Sequence, residues 1–113
     1  MLFRSISLDV RIGNNVVMWS SNHVGDLTSI EDHAWVSSHV TIAANVRVGR
    51  GAFLGIGATV SNGVTIGRQS FVGADVLLSD NLDDGCVRVA TQQENLDVDA
   101  KSFMRVMMAS KKL

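Results

Sequence analysis

Three histidines are the side chains of this sequence best suited to acid–base chemistry. His23 precedes Asp26 by three residues, so its imidazole could act as a general base beside a carboxylate. The alternative for His23 is a histidine on the surface or at an interface. His33 and His39 recur where Asn, Asp and Gly dominate, which favours a turn residue at both, more strongly at His33. Cys86 is the only cysteine, so neither an internal disulfide nor a cysteine-based zinc site is expected.

The elements that must position these side chains follow a period of six residues. Every sixth residue from Ile6 to Leu78 is aliphatic, and the residue four positions later is usually small or valine. Neither a helix, with about 3.6 residues per turn, nor a plain strand, with a period of about two, produces this spacing. It predicts short strands whose side chains point in, out and in, wound as a coil of parallel strands around an aliphatic interior. The sequence has no proline, as expected where nearly every rung donates backbone hydrogen bonds to the next.

The third residue after each aliphatic predicts the corners of this coil. It is mostly Asn, Asp, Gly or His, and these types tolerate a positive φ. The predicted left-handed positions are Asp9, Asn15, His33, His39, Asn45, Gly51, Gly57, Gly63, Asp75 and Asn81.

The six-residue pattern stops after Leu82. We predict a turn at 83–85, a last short strand at 86–90 and a linker at 91–95. Asp97 or Asp99 is expected to cap a helix that runs to Leu113. The chain therefore divides into a coil at 1–90 and a linker with a helix at 91–113. The apolar helix residues, which predict packing against the coil or a neighbour, are Phe103, Met104, Val106, Met107 and Met108.

Composition and charge describe a soluble globular protein. Apolar residues make up 46% of the chain, charged residues 19%, and the net charge is −1. This balance predicts neither a nucleic-acid partner nor a membrane partner. The N-terminus lacks the apolar run of a signal peptide, and no stretch approaches a transmembrane length, so a cytoplasmic location is expected.

The sequence resembles the hexapeptide-repeat acyltransferases, which form left-handed parallel β-helices. Residues 22–33 and 37–40 are similar to bacterial sugar-nucleotide acetyltransferases of surface-polysaccharide assembly, and residues 53–60 to their acyl-CoA-binding coil. The resemblance implies an all-β, left-handed parallel β-helix of about four coils, followed by the C-terminal helix. It also implies a homotrimer that binds acetyl-CoA between neighbouring subunits, with no metal, and an amine or hydroxyl acceptor such as an amino sugar. The N-terminal nucleotide-sugar domain of that family is expected to be absent.

A triangular turn of three hexads, taken from this resemblance, sorts the outward side chains into three columns. The first, which is apolar and aromatic, predicts a contact buried in a subunit interface or under the C-terminal helix. Its members are Val17, Trp35, Phe53 and Phe71. The second column is Arg11, Ser29, Arg47, Thr65 and Asp83, and the third is Ser5, His23, Thr41, Thr59 and Leu77.

In that family a histidine deprotonates the acceptor, and a backbone N–H one coil later stabilises the oxyanion. Aligned on Ile30, the histidine position is Asp26, its partner is Leu27, and the N–H donor is Ala44. An aspartate needs a raised pKa to act as this base, and His23 could supply the base instead. The candidate catalytic residues are His23, Asp26 and His39. The candidate cofactor contacts are Trp35, which stands where the family has a second histidine, Ala44, Ile56, Asn62 and Ala74.

Three other functions compete with acyl transfer. A β-helical binding or scaffold protein without chemistry would explain the missing histidine. A zinc hydrolyase of the carbonic anhydrase type requires three converging histidines, whereas His33 and His39 are predicted at different corners. A threonine array for ice binding would rest only on Thr41 and Thr59.

Overall fold

The computed structural model describes residues 5, 6 and 8–110, and within them the chain winds as a parallel β-solenoid of about four turns. The strands are two residues long and form three parallel sheets. Sheet A holds β1 (Ser5–Ile6), β4 (His23–Val24), β7 (Thr41–Ile42), β10 (Thr59–Val60) and β13 (Leu77–Leu78). Sheet B holds β2 (Arg11–Ile12), β5 (Ser29–Ile30), β8 (Arg47–Val48) and β11 (Thr65–Ile66). Sheet C holds β3 (Val17–Met18), β6 (Trp35–Val36), β9 (Phe53–Leu54), β12 (Phe71–Val72) and β14 (Val87–Arg88). A helix, α1 (Ala100–Ser110), follows the last strand in the sequence.

Residues eighteen apart lie above one another, as the triangular turn implied by the family resemblance predicts. In sheet A, for example, His23 pairs with Thr41, and Thr41 pairs with Thr59. The all-β solenoid of about four coils with a C-terminal helix is thereby confirmed. The left-handed sense of the winding stays an expectation drawn from the family resemblance.

The interior is a stack of aliphatic side chains, one from each side of each turn. Ile42, Leu54 and Ile66 are fully buried. The small Ala34 and Ala52, next to the corners, are buried as well. The buried polar side chains also have partners. For example, the Asn22 Oδ1 accepts the Val40 N–H at 2.9 Å and its Nδ2 donates to the Trp19 carbonyl at 3.0 Å. A dry, filled interior leaves the functional groups to the outward columns and the corners.

The left-handed corners are confirmed at every predicted position except Asn81. Ser21, Leu27 and Gln69 adopt the same conformation, although their residue types did not predict it. The period, rather than the local side chain, therefore determines where the chain turns. Leu27 is the least expected of them, since a leucine at φ 61° is held there by its surroundings.

The final turn is two residues shorter than the others, which corrects the predicted column at Asp83. Ile66 pairs with Leu82, and the Asn81 Oδ1 accepts the Thr65 N–H at 2.8 Å, an offset of 16 residues. Continued hexad spacing would have pointed Asp84 into the apolar interior, which is costly for a carboxylate. Leu82 occupies that interior position instead and is 6% exposed. Asp83 and Asn81 consequently leave their predicted places, while the predicted last strand forms as β14.

Asp99, rather than Asp97, caps α1. Its Oδ1 accepts the Ser102 N–H at 2.8 Å and its Oδ2 accepts the Ser102 hydroxyl at 3.2 Å. The helix is assigned to Ser110, and the predicted end at Leu113 lies outside the described residues. No residue of α1 is buried, so the coil of the same chain does not cover its apolar side chains. Among the described residues, no helix has the length and apolar character needed to cross a membrane.

We predict that Leu54→Ala lowers the free energy of unfolding by about 2–5 kcal/mol, because it opens a cavity in the fully buried stack. Leu77→Ala is the matched control, since Leu77 points outward and is 66% exposed. Urea unfolding followed by circular dichroism measures both. Equal losses in the two variants would contradict the assignment of inward and outward positions.

We predict that Asp99→Ala reduces the helical signal at 222 nm, whereas Asp97→Ala leaves it unchanged. The backbone N–H and the hydroxyl of Ser102 hold the pKa of the Asp99 carboxyl below its usual value of 3.8. Because the pKa is lowered in the folded state, the cap stabilises the helix fully at pH values above the usual pKa. This stabilisation is lost as the pH falls through the lowered pKa. An acid titration of the 222 nm signal that is identical in wild type and Asp99→Ala would contradict this role.

Candidate functional site

One outward face of the coil is a continuous column of aromatic rings. The ring centroids of Trp35 and Phe53 are 6.2 Å apart, and those of Phe53 and Phe71 are 4.8 Å apart with planes tilted by 2°. Trp19 extends the column, with its ring 6.2 Å from that of Trp35. We call Val17, Trp19, Trp35, Phe53 and Phe71 the aromatic face. The sequence predicted this column except for Trp19, which lies two residues beyond Val17 and was missed by reading only the strand positions.

The aromatic face is open to solvent in the single chain. Trp35 is 38% and Phe71 is 40% exposed, and α1 does not cover them. The sequence predicted that this face is buried either under the C-terminal helix or in a subunit interface. The helix of the same chain does not bury it, and the subunit interface stays a prediction.

A groove of about 290 Å³ runs along the edge of the aromatic face, at the corner that leads from sheet C to sheet A. Trp35 and Ile56, two of the predicted cofactor contacts, line this groove, and Ala74 lies exposed one coil beyond Ile56. Ser37 and Ser38 supply polar groups to an otherwise apolar wall. The structure thus brings three of the five predicted cofactor residues to one edge.

Three further candidates, Asp26, Ala44 and Asn62, lie at the corner that leads from sheet A to sheet B. The Ala44 N–H donates to the Asn62 Oδ1 at 2.9 Å, so the predicted oxyanion donor and a predicted cofactor residue are bonded to each other. The Asp26 Oδ1 accepts the Leu8 N–H at 3.0 Å. In both cases an exposed polar side chain caps the backbone of the coil below.

The histidines occupy three different places. His23 points outward from β4, the second strand of sheet A, and is exposed. In the described part of the chain, neither a hydrogen bond nor an ion pair joins it to Asp26. His39 sits at the corner between sheets C and A, with φ 59°. His33 sits at the corner between sheets B and C, where its Nδ1 accepts a hydrogen bond from the Asn15 Nδ2 at 2.9 Å. Sheet A therefore carries His23 between the two corners that hold the remaining candidates.

A single chain does not assemble these candidates into one site. The groove lined by Trp35 and Ile56 borders one side of sheet A, as does Ala74. Asp26, Ala44 and Asn62 border the other side. Within the described ranges, no three His, Cys, Asp or Glu side chains are grouped closely enough to hold a metal ion. The arrangement comprises an apolar groove, an exposed imidazole on sheet A and a backbone N–H that is bonded to Asn62.

Comparison with known proteins finds solved acetyltransferases whose structures superpose on this coil. No protein-family model matches the chain, and no curated protein matches it. A serine acetyltransferase in complex with cysteine superposes with a TM-score of 0.68 at 17% identity, covering 81% of this chain and 40% of that one. PerB from Caulobacter crescentus, solved with CoA and GDP-perosamine, superposes with a TM-score of 0.60 at 28% identity, covering 78% and 51%. The acetyltransferase domain of PglB from Neisseria gonorrhoeae FA1090, solved with acetyl coenzyme A, gives 0.53 at 19% identity, covering 81% and 54%.

These similarities establish different things. At 17% and 19% identity, the serine acetyltransferase and the PglB domain support the fold alone. PerB adds similarity in sequence to similarity in fold. The chain spans only about half the length of PerB and of the PglB domain, and less of the serine acetyltransferase.

We predict that Phe53→Glu separates associated copies or unfolds the protein, because it buries a charge in the centre of the aromatic face. Thr65→Glu is the matched control, since it places the same charge on an outward position of sheet B. Sedimentation velocity measures both variants. A wild-type protein that sediments as a single chain, or a Phe53→Glu profile identical to wild type, would contradict burial of this face.

Proposed function

Because this chain shares the coil of the hexapeptide-repeat acyltransferases, we propose that it transfers an acetyl group from acetyl-CoA to an amine or hydroxyl. The observation that carries the proposal is the similarity in fold and sequence to PerB, whose structure holds CoA. PerB also holds GDP-perosamine, which supports an amino sugar as the class of acceptor. A reducing, cytoplasmic location belongs to the proposal, and the free, exposed Cys86 is compatible with it.

The proposed reaction begins when the acceptor nitrogen or oxygen attacks the thioester carbonyl. A C–N or C–O bond forms, the C–S bond breaks, and the CoA thiolate leaves. The proton of the acceptor passes to a base on the protein and then to the departing thiolate. We assign the base to His23, because its imidazole is exposed on sheet A, whereas an Asp26 oxygen already accepts the Leu8 N–H.

The oxyanion position requires a rearrangement at Ala44. Its N–H donates to the Asn62 Oδ1, so it can stabilise an oxyanion only after that side chain turns away. Asn62 is exposed, so its rotation disturbs no packed interior. We therefore include Asn62 in the proposal as the group that the thioester carbonyl displaces.

A homotrimer would complete the site. In a closed ring, the groove of Trp35 and Ile56 on one copy can face the corner of Asp26 and Ala44 on the next. That arrangement would cover the aromatic face and place the acyl donor between two copies. In the single chain, sheet A separates the two corners. The proposed trimer would bring the two corners together, each from a different copy.

A second function is favoured by a specific observation. Asp26 stands at the position of the family's histidine, and both Asp26 and Asn62 serve as caps of the backbone. These are the bonds expected of a coil that keeps its structure without the chemistry. The second candidate is therefore a β-helical binding or scaffold protein that retains the groove.

Calorimetric titration with acetyl-CoA, followed by thiol release in the presence of free and nucleotide-linked amino sugars, tests the proposal. We expect saturable binding and turnover by the wild type, with a loss of turnover of about 100-fold or more in His23→Ala. His33→Ala is the matched control and should keep wild-type turnover, because His33 lies at the corner between sheets B and C.

The outcomes separate the two functions. Binding without turnover for any acceptor would support the scaffold and overturn catalysis. The absence of binding at millimolar acetyl-CoA would overturn both the donor and the enzyme. Equal turnover in His23→Ala and wild type would remove His23 from the mechanism while leaving acyl transfer in place.

A further inference from the structure

The helix α1 presents an apolar face that no described residue of the chain buries. Residues three and four apart share a helix face, which groups its large apolar side chains. This face consists of Ala100, Phe103, Met104, Met107 and Met108. Phe103 is 43%, Met107 is 47% and Met104 is 56% exposed. An isolated helix of 11 residues gains little stability in water, so burial of this face would stabilise α1.

The charge of this segment is segregated from that of the coil. Residues 100–113 contain four of the ten basic residues and none of the eleven acidic residues. Lys101 and Arg105 are four apart and therefore lie on one side of α1, and Lys111 and Lys112 follow in the sequence. The net charge of −1 for the whole chain conceals this, because the acidic residues all precede position 100.

We propose that α1 binds an anionic lipid surface, lying in the plane of the interface with its apolar face among the acyl chains. A helix with Phe and Met on one side and only basic charges on the other has the chemistry of interfacial amphipathic helices. At about 1.5 Å per residue the helix is too short to span a bilayer, which agrees with an in-plane position. The expectation of no membrane partner was based on the net charge of the whole chain. The charge of the helix differs from it, because the helix carries basic residues and no acidic ones.

Charge selects the lipid surface over a bundle of helices from several copies. Helix bundles use acidic side chains opposite basic ones to fix their partners. Residues 100–113 have no acidic side chain, so neighbouring copies of α1 would bring only like charges together. Anionic headgroups supply the missing negative charge, with about 1 kcal/mol of attraction for each basic residue at the surface.

The connection to the coil permits this position. Residues 89–96 have no regular secondary structure and most are exposed, so they form a tether between β14 and α1. Asp99 caps the helix through Ser102, so the amphipathic arrangement exists before a membrane is met. Because the proposed site of acyl transfer lies on the coil, lipid binding by α1 is independent of that function.

Flotation of the full chain with vesicles tests the proposal. We expect binding to vesicles with about 30% phosphatidylglycerol, little binding to pure phosphatidylcholine, and release by about 0.5 M salt. The double variant Lys101→Glu, Arg105→Glu should bind the vesicles about tenfold more weakly or worse. The double variant Phe103→Ser, Met107→Ser should abolish flotation. Arg11→Glu with Arg68→Glu makes the same change of charge on the coil and should leave flotation unchanged.

Sedimentation velocity of the same variants completes the test. If wild type does not float with anionic vesicles, or if the control on the coil loses binding equally, the proposal is overturned. If the Phe103→Ser and Met107→Ser variant changes the oligomeric state without affecting flotation, the face contacts another copy and the proposal is wrong. The 222 nm signal confirms that each variant keeps its coil and helix.

Discussion

The structure depends on hydrogen bonding between turns that are held in register. The N–H of Thr41 donates to the carbonyl of Ala58 at 2.9 Å, and the N–H of Gly25 donates to that of Ile42 at 2.8 Å. Each turn satisfies the backbone of the next, and a shift by one residue would turn every interior aliphatic outward. Strands of two residues are sufficient only because the same register is repeated on three sides. The place of every surface side chain follows from that repetition.

The same constraint limits the chemistry. At the corners the backbone also needs partners, and Asp or Asn side chains supply them from one coil above. Asp26 and Asn62 are both engaged in such capping bonds. A catalytic group at a corner must leave its structural bond, whereas His23, on the open face of a strand, is free of that demand.

The two uncovered apolar surfaces differ in kind. The aromatic face is a column along the solenoid with rings stacked on each other. The apolar face of α1 is narrow and bordered by lysine and arginine. Neither surface belongs to the interior of the coil, which the aliphatic core already fills.

The sequence by itself determined the coil, its strand positions and most of its corners, because one aliphatic residue in six leaves a single register that buries them all. With the triangular turn implied by the family resemblance, the sequence also predicted the aromatic column except for Trp19, since residues eighteen apart then coincide. Only the tertiary structure decided the short last turn, where Leu82 takes the interior place that Asp84 could not, and the choice of Asp99 over Asp97 as the cap. It alone showed that Ala44 is bonded to Asn62 and that α1 lies uncovered. The cap and the bond between Ala44 and Asn62 depend on which of several nearby polar groups binds a given backbone group. A periodic sequence pattern does not contain that information.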